Sequence, residues 1–293
     1  MKYQKRNLEQ LNLIDDFLFY EVVSGDEGEW FCRLLIKAIC KKEVKSLRIC
    51  PQNIVQGTDT SRHGIRMDLY VDEMGECLYD FEPDKYTDKK ILPKRNRYYR
   101  ALLDGKLLAS GEEYERMPDM WTIFILTHDP FDRNRMCYTV KNCIVEEPDI
   151  SYEDGAVSLF LYTRGNLGDN EELSYLLKYM ENSVEENATT EELKQLHKYI
   201  TAIKHRKEVG VRYMKSWEYE KMYREEGRAE GRAEDVLDLL GELGVVSDSL
   251  RKKIMKENNL EILSKWLKIA AKVRCVSEFE KKMEEDKWNG CED

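Results

Sequence analysis

Nothing in this sequence is both long and apolar: no run approaches the roughly 20 residues that a membrane-spanning helix needs. The opening residues, MKYQKRNLEQ, hold no apolar core of a secretion signal, so the cytoplasm is the expected location. No two cysteines have the CxxC spacing. The eight are Cys32, Cys40, Cys50, Cys77, Cys137, Cys143, Cys275 and Cys291, several inside apolar stretches, so buried free thiols are expected and a zinc site is not. Histidine is scarce: the 4 are His63, His128, His197 and His205. His63 precedes one expected strand and His128 ends another. The other two lie in charged helical sequence and are expected to face solvent. No Ser/His/Asp or Cys/His arrangement can be read from them, and no glycine pattern of a P-loop or Rossmann turn is present.

A surplus of positive charge is missing too. The formal net charge is −10, which excludes a general polyanion binder. Contact with DNA would need a local basic patch. From Lys85 to Lys106 there is one, with 8 Lys/Arg against 2 Asp. Charge alone favours reading that patch as a solvated helix face.

What is present is a regular alternation of patterns. Asp15 to Val23 begins with two acids and continues apolar, the pattern of a short helix with an acidic N-terminus. From Glu29 to Cys40, Trp30, Phe31, Leu34, Leu35, Ala38 and Ile39 recur at helical spacing. Ile65 to Val71 alternates and predicts a strand. The turn DEMGE follows, with Gly75 free to take positive φ. Glu76 to Asp84 alternates again, which makes the pair a hairpin. Pro93 suits a first helical turn. Beyond it Tyr98, Ala101, Leu102 and Leu108 recur as an apolar face, with Lys94, Arg97 and Arg100 outside. Trp121 to Leu126 and Val157 to Tyr162 are continuous apolar runs, as in strands covered on both faces. Tyr138 to Val145 suits an edge strand. The predicted class is α/β: a mixed sheet flanked by helices, with a helical C-terminal extension.

Three segments are expected: an α/β domain over 1–180, a charged helical connector over 181–234, and a small helical unit over 235–293. The connector ends in EEGRAEGRAE, where glycine every fourth residue weakens a helix by roughly 1 kcal/mol relative to alanine. Leu237, Leu240, Leu243, Leu260, Leu263, Trp266, Leu267 and Ile269 supply the last unit's apolar positions. They could cap the main domain or mediate homo-oligomerisation.

The hairpin carries the chemistry. With its turn centred on Met74, residue 72 faces 76 and Asp68 faces Asp80, with Glu82 one diagonal step away. Asp68, Asp80, Glu82 and Asp84 then share one sheet face. Carboxylates that close repel unless protons or a cation neutralise them, and a divalent metal prefers such oxygen ligands. On pattern alone, a solvated acidic strand face explains the alternation at least as well. Asp15 and Asp16 could reach the same place from the first helix, or simply favour its N-terminus.

Five blocks together are similar to one family. They are LNLIDDFLFYEVV, GIRMDLYV (Gly64 to Val71), YDFEPD (Tyr79 to Asp84), KRNRYY (Lys94 to Tyr99) and the EEGRAEGRAE tract, in order along nearly the whole chain. In this set the chain resembles the PD-(D/E)XK nuclease family of recombination-promoting nucleases and transposases. The resemblance implies a restriction-endonuclease-like fold and DNA cleavage in a bacterial mobile-element or recombination setting. It implies that Asp68 and Glu82 hold Mg²⁺ or Mn²⁺, and that Lys94, Arg95 and Arg97 contact DNA phosphates. The family pattern has Gln or Lys where this chain has Asp84. An ionised carboxylate donates no hydrogen bond and cannot replace either; it could instead be a third metal ligand. Pro83 lacks a ladder donor and tends to end a strand or mark an edge. Two functions follow as expectations: a metal-dependent endonuclease with Asp68, Glu82 and Asp84 as its acids, or a catalytically inactive relative that binds DNA or assembles with proteins.

Overall fold

A computed structural model describes residues 6–52, 54–55, 65–108 and 110–288. The chain divides into two compact units, residues 1–213 and 214–293.

In the first unit, α1 (Asp16–Val23) and α2 (Gly28–Cys40) precede strands β1 (Arg48–Pro51), β2 (Ile54–Val55), β3 (Ile65–Arg66), β4 (Leu69–Asp72) and β5 (Cys77–Asp84). Then come α3 (Leu92–Asp104), β6 (Asp119–Leu126), β7 (Cys137–Val140), β8 (Ala156–Tyr162), α4 (Glu171–Glu181) and α5 (Glu191–Lys204). Six strands form one sheet in the order β1-β4-β5-β6-β8-β7, while β2 and β3 pair separately. The β1, β4 and β5 neighbours are antiparallel, β5, β6 and β8 run parallel, and β7 returns antiparallel on β8. This is the mixed sheet flanked by helices that the alternating patterns predict.

The continuous apolar strands are covered on both faces, for the reason their composition suggests. On one face Val71, Tyr79, Phe81, Ile123 and Leu161 pack with Phe19 of α1, Phe31 and Leu35 of α2, Leu177 of α4 and Ile200 of α5. On the other face Met67, Leu78, Leu103 and Met120 form one cluster, and Leu92, Phe124, Leu126 and Phe160 another. Helix α3 covers this second face. Its inward positions are Leu92, Asn96 and Leu103, with Tyr99 partly buried. The Tyr98–Ala101 face expected from the sequence is instead exposed. Spacings of four, three and four residues (Leu92, Asn96, Tyr99, Leu103) make the stripe, and a polar residue within it disguises the pattern.

Contacts remote in sequence close the first core. The Leu13 N–H donates to Ser183 Oγ at 2.8 Å, and the Tyr199 hydroxyl donates to the Val22 carbonyl at 3.2 Å. Asn170 caps α4 and Thr190 caps α5, each accepting the N–H three residues on. Both helices thus belong to the α/β core, and the first unit runs past residue 180.

Helix α6 (Lys207–Leu243) contains the boundary between the units, and α7 (Asp248–Met255), α8 (Leu260–Ala270) and α9 (Val276–Trp288) follow. The second unit has its own core. Ala229, Ala233 and Leu240 of α6 pack with Ile254 of α7, Trp266 of α8 and Phe279 of α9. The alanines of the GRAE repeat therefore face inward. A Cβ on Gly227 or Gly231 would meet nothing within 4 Å. Among the described residues no helix is long and apolar enough to cross a membrane. All seven described cysteines are free; Cys291 lies outside the described residues.

Candidate functional site

The β4–β5 hairpin differs from its expected register by two residues, which sets Asp68 beside Glu82 instead of Asp80. Met74 (φ 51°) and Gly75 (φ 86°) both take left-handed conformations, and Glu76 N–H closes the turn on the Glu73 carbonyl at 3.0 Å. Glu73 N–H then donates to Cys77 O, not to Glu76, at 2.8 Å. The ladder becomes Asp72↔Leu78, Tyr70↔Asp80 and Leu69↔Phe81. One further step sets Asp68 beside Glu82, where the Asp68 N–H donates to Glu82 Oε1 at 3.1 Å. A slip of two residues along the partner strand preserves which face each side chain occupies, so the acids stay together. The predicted single strand over 65–71 is broken at Met67–Asp68, between β3 and β4.

Alternation along β5 puts Asp80, Glu82 and Asp84 on the face that α3 covers. Asp80 is 0% exposed and Glu82 1%. Among the described residues no amide, guanidinium or alcohol group donates to the Asp80 carboxyl; the Glu82 carboxyl beside it is its hydrogen-bonding neighbour. Burial pushes the Asp80 carboxyl well above the usual carboxylate range, and the nearby Asp68 charge adds to this. Glu82 is raised for the same first reason, then by Asp80 and Asp68, against the opposing pull of Arg95 and the Asp68 N–H.

Arg95 projects from α3 into this group. Its Nη2 donates to Glu82 Oε2 at 3.1 Å and to the Tyr99 hydroxyl at 3.0 Å. Its Nη1 donates to Thr87 Oγ1 at 2.6 Å and also to Asp84. The guanidinium lies 5.0 Å from the centre of the Tyr99 ring, a cation–π distance. The residue expected to meet phosphate is thus engaged within the protein.

Asp84 is fully occupied. It accepts from Tyr86 N at 2.9 Å, from Thr87 N at 2.8 Å, and from the Thr87 hydroxyl and Arg95. Burial alone would raise its carboxyl, but the Thr87 and Tyr86 donors and Arg95 bring it below the ordinary value. It is the anchor of the loop between β5 and α3. Pro83 lies within β5, whose pairing with β6 continues through Pro83↔Ile125 to Asp84↔Leu126. The β4 ladder has already ended at Phe81, which leaves an unpaired side for a residue with no N–H.

Lys85, next in sequence, reaches away from the acids: its Nζ donates to Asp15 Oδ1 at 2.6 Å. Asp15 also accepts from Asn12 N at 2.8 Å and from Arg6. Asp15 is therefore committed to ion pairs at the start of α1. Lys94 and Arg97 lie exposed on the outer side of α3.

Two histidines end β6 and α5, as strand-end and helix-end residues: His128 follows Leu126, and His205 contacts the Thr201 carbonyl at 2.7 Å. His197 is half-buried, not solvent-facing, with Nδ1 2.9 Å from the Tyr179 hydroxyl. His63 lies outside the described residues. A polar network lies beneath α3, from residue types whose pattern in the sequence carries no signal of it. Thr122 Oγ1 donates to Asn96 Oδ1 at 2.7 Å, and Asn96 Nδ2 donates to Ser158 Oγ at 2.8 Å.

Asp68 and Glu82 stand on adjoining β-segments and carry the oxygen donors that a divalent cation takes, while Arg95 already holds Glu82. Among the described residues no group of three or more His, Cys, Asp or Glu side chains could hold a metal ion. Comparison with protein-family models, with curated proteins and with solved structures found no match to this chain.

Proposed function

We propose that the chain is a divalent-metal-dependent DNA endonuclease of the recombination-promoting type, with a restriction-endonuclease-like fold. Asp68 and Glu82 are the carboxylates that hold Mg²⁺ or Mn²⁺. The observation that carries this reading is the 3.1 Å hydrogen bond from the Asp68 N–H to Glu82 Oε1, which fixes the two acids on adjoining β-segments. When bound, a divalent ion there supplies Lewis-acid polarisation of the phosphate and lowers the pKa of water. The chain's own residues do the rest. Arg95 orients Glu82 and favours its ionised form. Asp84 fixes the loop leading to α3. Lys94 and Arg97, exposed on α3, hold the phosphate backbone without reading sequence. The setting is the bacterial cytoplasm, with homo-oligomers built through the C-terminal helices.

The test is nicking of supercoiled plasmid with Mg²⁺ or Mn²⁺ and with chelator. Metal-dependent nicking that disappears in Asp68→Ala and Glu82→Ala supports the proposal. No metal-dependent cleavage of any DNA by the wild type removes it.

One observation favours a second reading. Arg95 already supplies Glu82 and Asp84 with an internal counter-cation. On that reading the chain is a catalytically inactive member of the same fold that binds DNA or assembles with proteins. Its DNA binding survives loss of Asp68 and Glu82 but depends on Lys94 and Arg97.

A further inference from the structure

We infer that the DNA this chain acts on is single-stranded where it meets α3, with an unpaired base stacked on Tyr86 and its phosphates on Lys90, Lys94 and Arg97. This rests on the DNA-cleaving reading above and adds to it the form of the substrate.

The short connection from β5 to α3 leaves the acidic strand at Asp84 and enters the helix at Leu92. Its backbone is tied along its length. Asp84 accepts from the N–H groups of Tyr86 and Thr87 at 2.9 and 2.8 Å, and the Asp88 carboxylate accepts from Lys90 N–H at 2.8 Å. The Asp88 carbonyl accepts from Ile91 N–H at 3.0 Å. The loop is thereby fixed, yet it turns Tyr86 into solvent, where the residue is 84% exposed. An aromatic side chain carries a large apolar area, and leaving it bare forfeits what burial would contribute. A fixed, uncovered ring is a stacking surface that a ligand need not order.

Charge identifies the ligand. Lys85 and Lys89 are engaged with Asp15 and Asp132. Lys90, Lys94 and Arg97 are exposed and, among the described residues, pair with no acid. Four residues of chain span at most about 14 Å, so Lys90 stands within that reach of Tyr86. Lys94 and Tyr98 follow Ile91 at spacings of three and four, all exposed on the outer side of α3. Cations beside uncovered apolar rings fit a polyanion that has flat faces. Tyr114 supplies the contrast. It is 85% exposed, but its neighbours are Glu113 and Glu115, which repel phosphate.

Duplex DNA leaves part of this surface unused. Its bases stack on one another and offer only their edges in the grooves, so a duplex meets the cations through phosphate and leaves the ring bare. A single strand presents the face of each base. Base–aromatic stacking beside a basic track holds unpaired strands without reading their sequence. The platform is also well placed for cleavage. Tyr86 lies two residues beyond Asp84, whose partner Arg95 also holds Glu82. A strand stacked there lies at the end of the β-strand that carries Glu82.

The experiment follows full-length protein by fluorescence anisotropy, in chelator so that no strand is cut. Three labelled probes are used: an oligothymidylate, a mixed-sequence duplex of the same length and an oligouridylate. The wild type is expected to bind the oligothymidylate at least about 10-fold more tightly than the duplex, and Tyr86→Ala to lose about 10-fold on it. Tyr86→Phe keeps the ring and should stay within about twofold of wild type, as should Tyr114→Ala. Circular dichroism checks that each variant folds. Equal wild-type affinity for oligothymidylate and duplex overturns this inference alone, and so does a folded Tyr86→Ala that binds oligothymidylate as the wild type does. A Tyr86→Phe as weak as Tyr86→Ala assigns the contact to the hydroxyl and overturns the stacking. Tighter binding of the oligouridylate overturns the assignment to DNA. A wild-type protein that binds none of the three probes overturns the DNA-cleaving reading together with it.

Discussion

Arg95 and Glu82 meet through a single 3.1 Å hydrogen bond on the buried side of α3, and that contact is the main compensation for a carboxylate that is 1% exposed. Removing one partner of a buried pair strands the other, at a cost on the order of 3 kcal/mol. Arg95→Gln is therefore expected to lower the thermal unfolding temperature measured in chelator. The same change removes a positive charge from beside the acids, so added Mn²⁺ should restore more stability to the variant than it adds to the wild type. Unfolding curves with and without Mn²⁺ read both effects. An equal metal-induced shift in the two proteins would mean that Arg95 and the ion do not share Glu82.

The Asn96 network should behave differently. Asn96→Ala strips the acceptor from Thr122 and the donor from Ser158 in a buried layer. A loss of about 2 kcal/mol is expected in denaturant unfolding. Mn²⁺ affinity should stay at the wild-type level, because this network does not touch the carboxylates.

Asp84→Ala removes the acceptor of four hydrogen bonds from the loop between β5 and α3. The expected loss is about 2 kcal/mol, and the loop around Tyr86 and Thr87 should lose amide protection first. Hydrogen exchange that is unchanged there would show that the loop is held by something else.

On the exposed side of α3, Lys94→Ala and Arg97→Ala are expected to weaken DNA binding uniformly across sequences. Each should reduce the salt slope of the binding constant by about 1, as phosphate contacts do. Anisotropy titrations at several salt concentrations provide the measurement. If the slope is unchanged in both variants, DNA does not lie along this face.

A pH effect follows from Asp15. Burial works against its charge, but hydrogen bonds from Arg6 and Lys85 hold its carboxyl below the ordinary value. A carboxyl depressed in the folded state contributes stability that is complete above the unfolded pKa of about 3.9 and is lost as pH falls through the folded value. Acid unfolding of the wild type should therefore be steeper below about pH 4 than that of Asp15→Asn. Parallel acid-unfolding curves for the two proteins would count against the Asp15 ion pairs.

Much of the framework was legible because periodicity reports burial. The runs Trp121–Leu126 and Val157–Tyr162 became central parallel strands since both faces needed apolar cover. The hairpin and its acidic face were legible from alternation, and the register was not. Sequence shows that Gly75 can turn the chain, but not that Met74 joins it at positive φ and moves the pairing by two. Arg95 was legible as a positive charge and not as an inward one, because α3's buried stripe runs through a polar residue, Asn96. Nor does a sequence show which of three alternating acids the fold supplies with donors. That depends on Thr87 and on a helix packed across the sheet, both brought there by tertiary structure.

The reach from Leu13 to Ser183 has a consequence during synthesis. On the ribosome, α1 and α2 emerge early, and α4 and α5, which complete the cluster around Phe19 and Phe31, come some 150 residues later, at about 5–20 residues per second. Until then that helical pair has only the strands for cover. A polypeptide that stopped short of Ile200 would leave the cluster open.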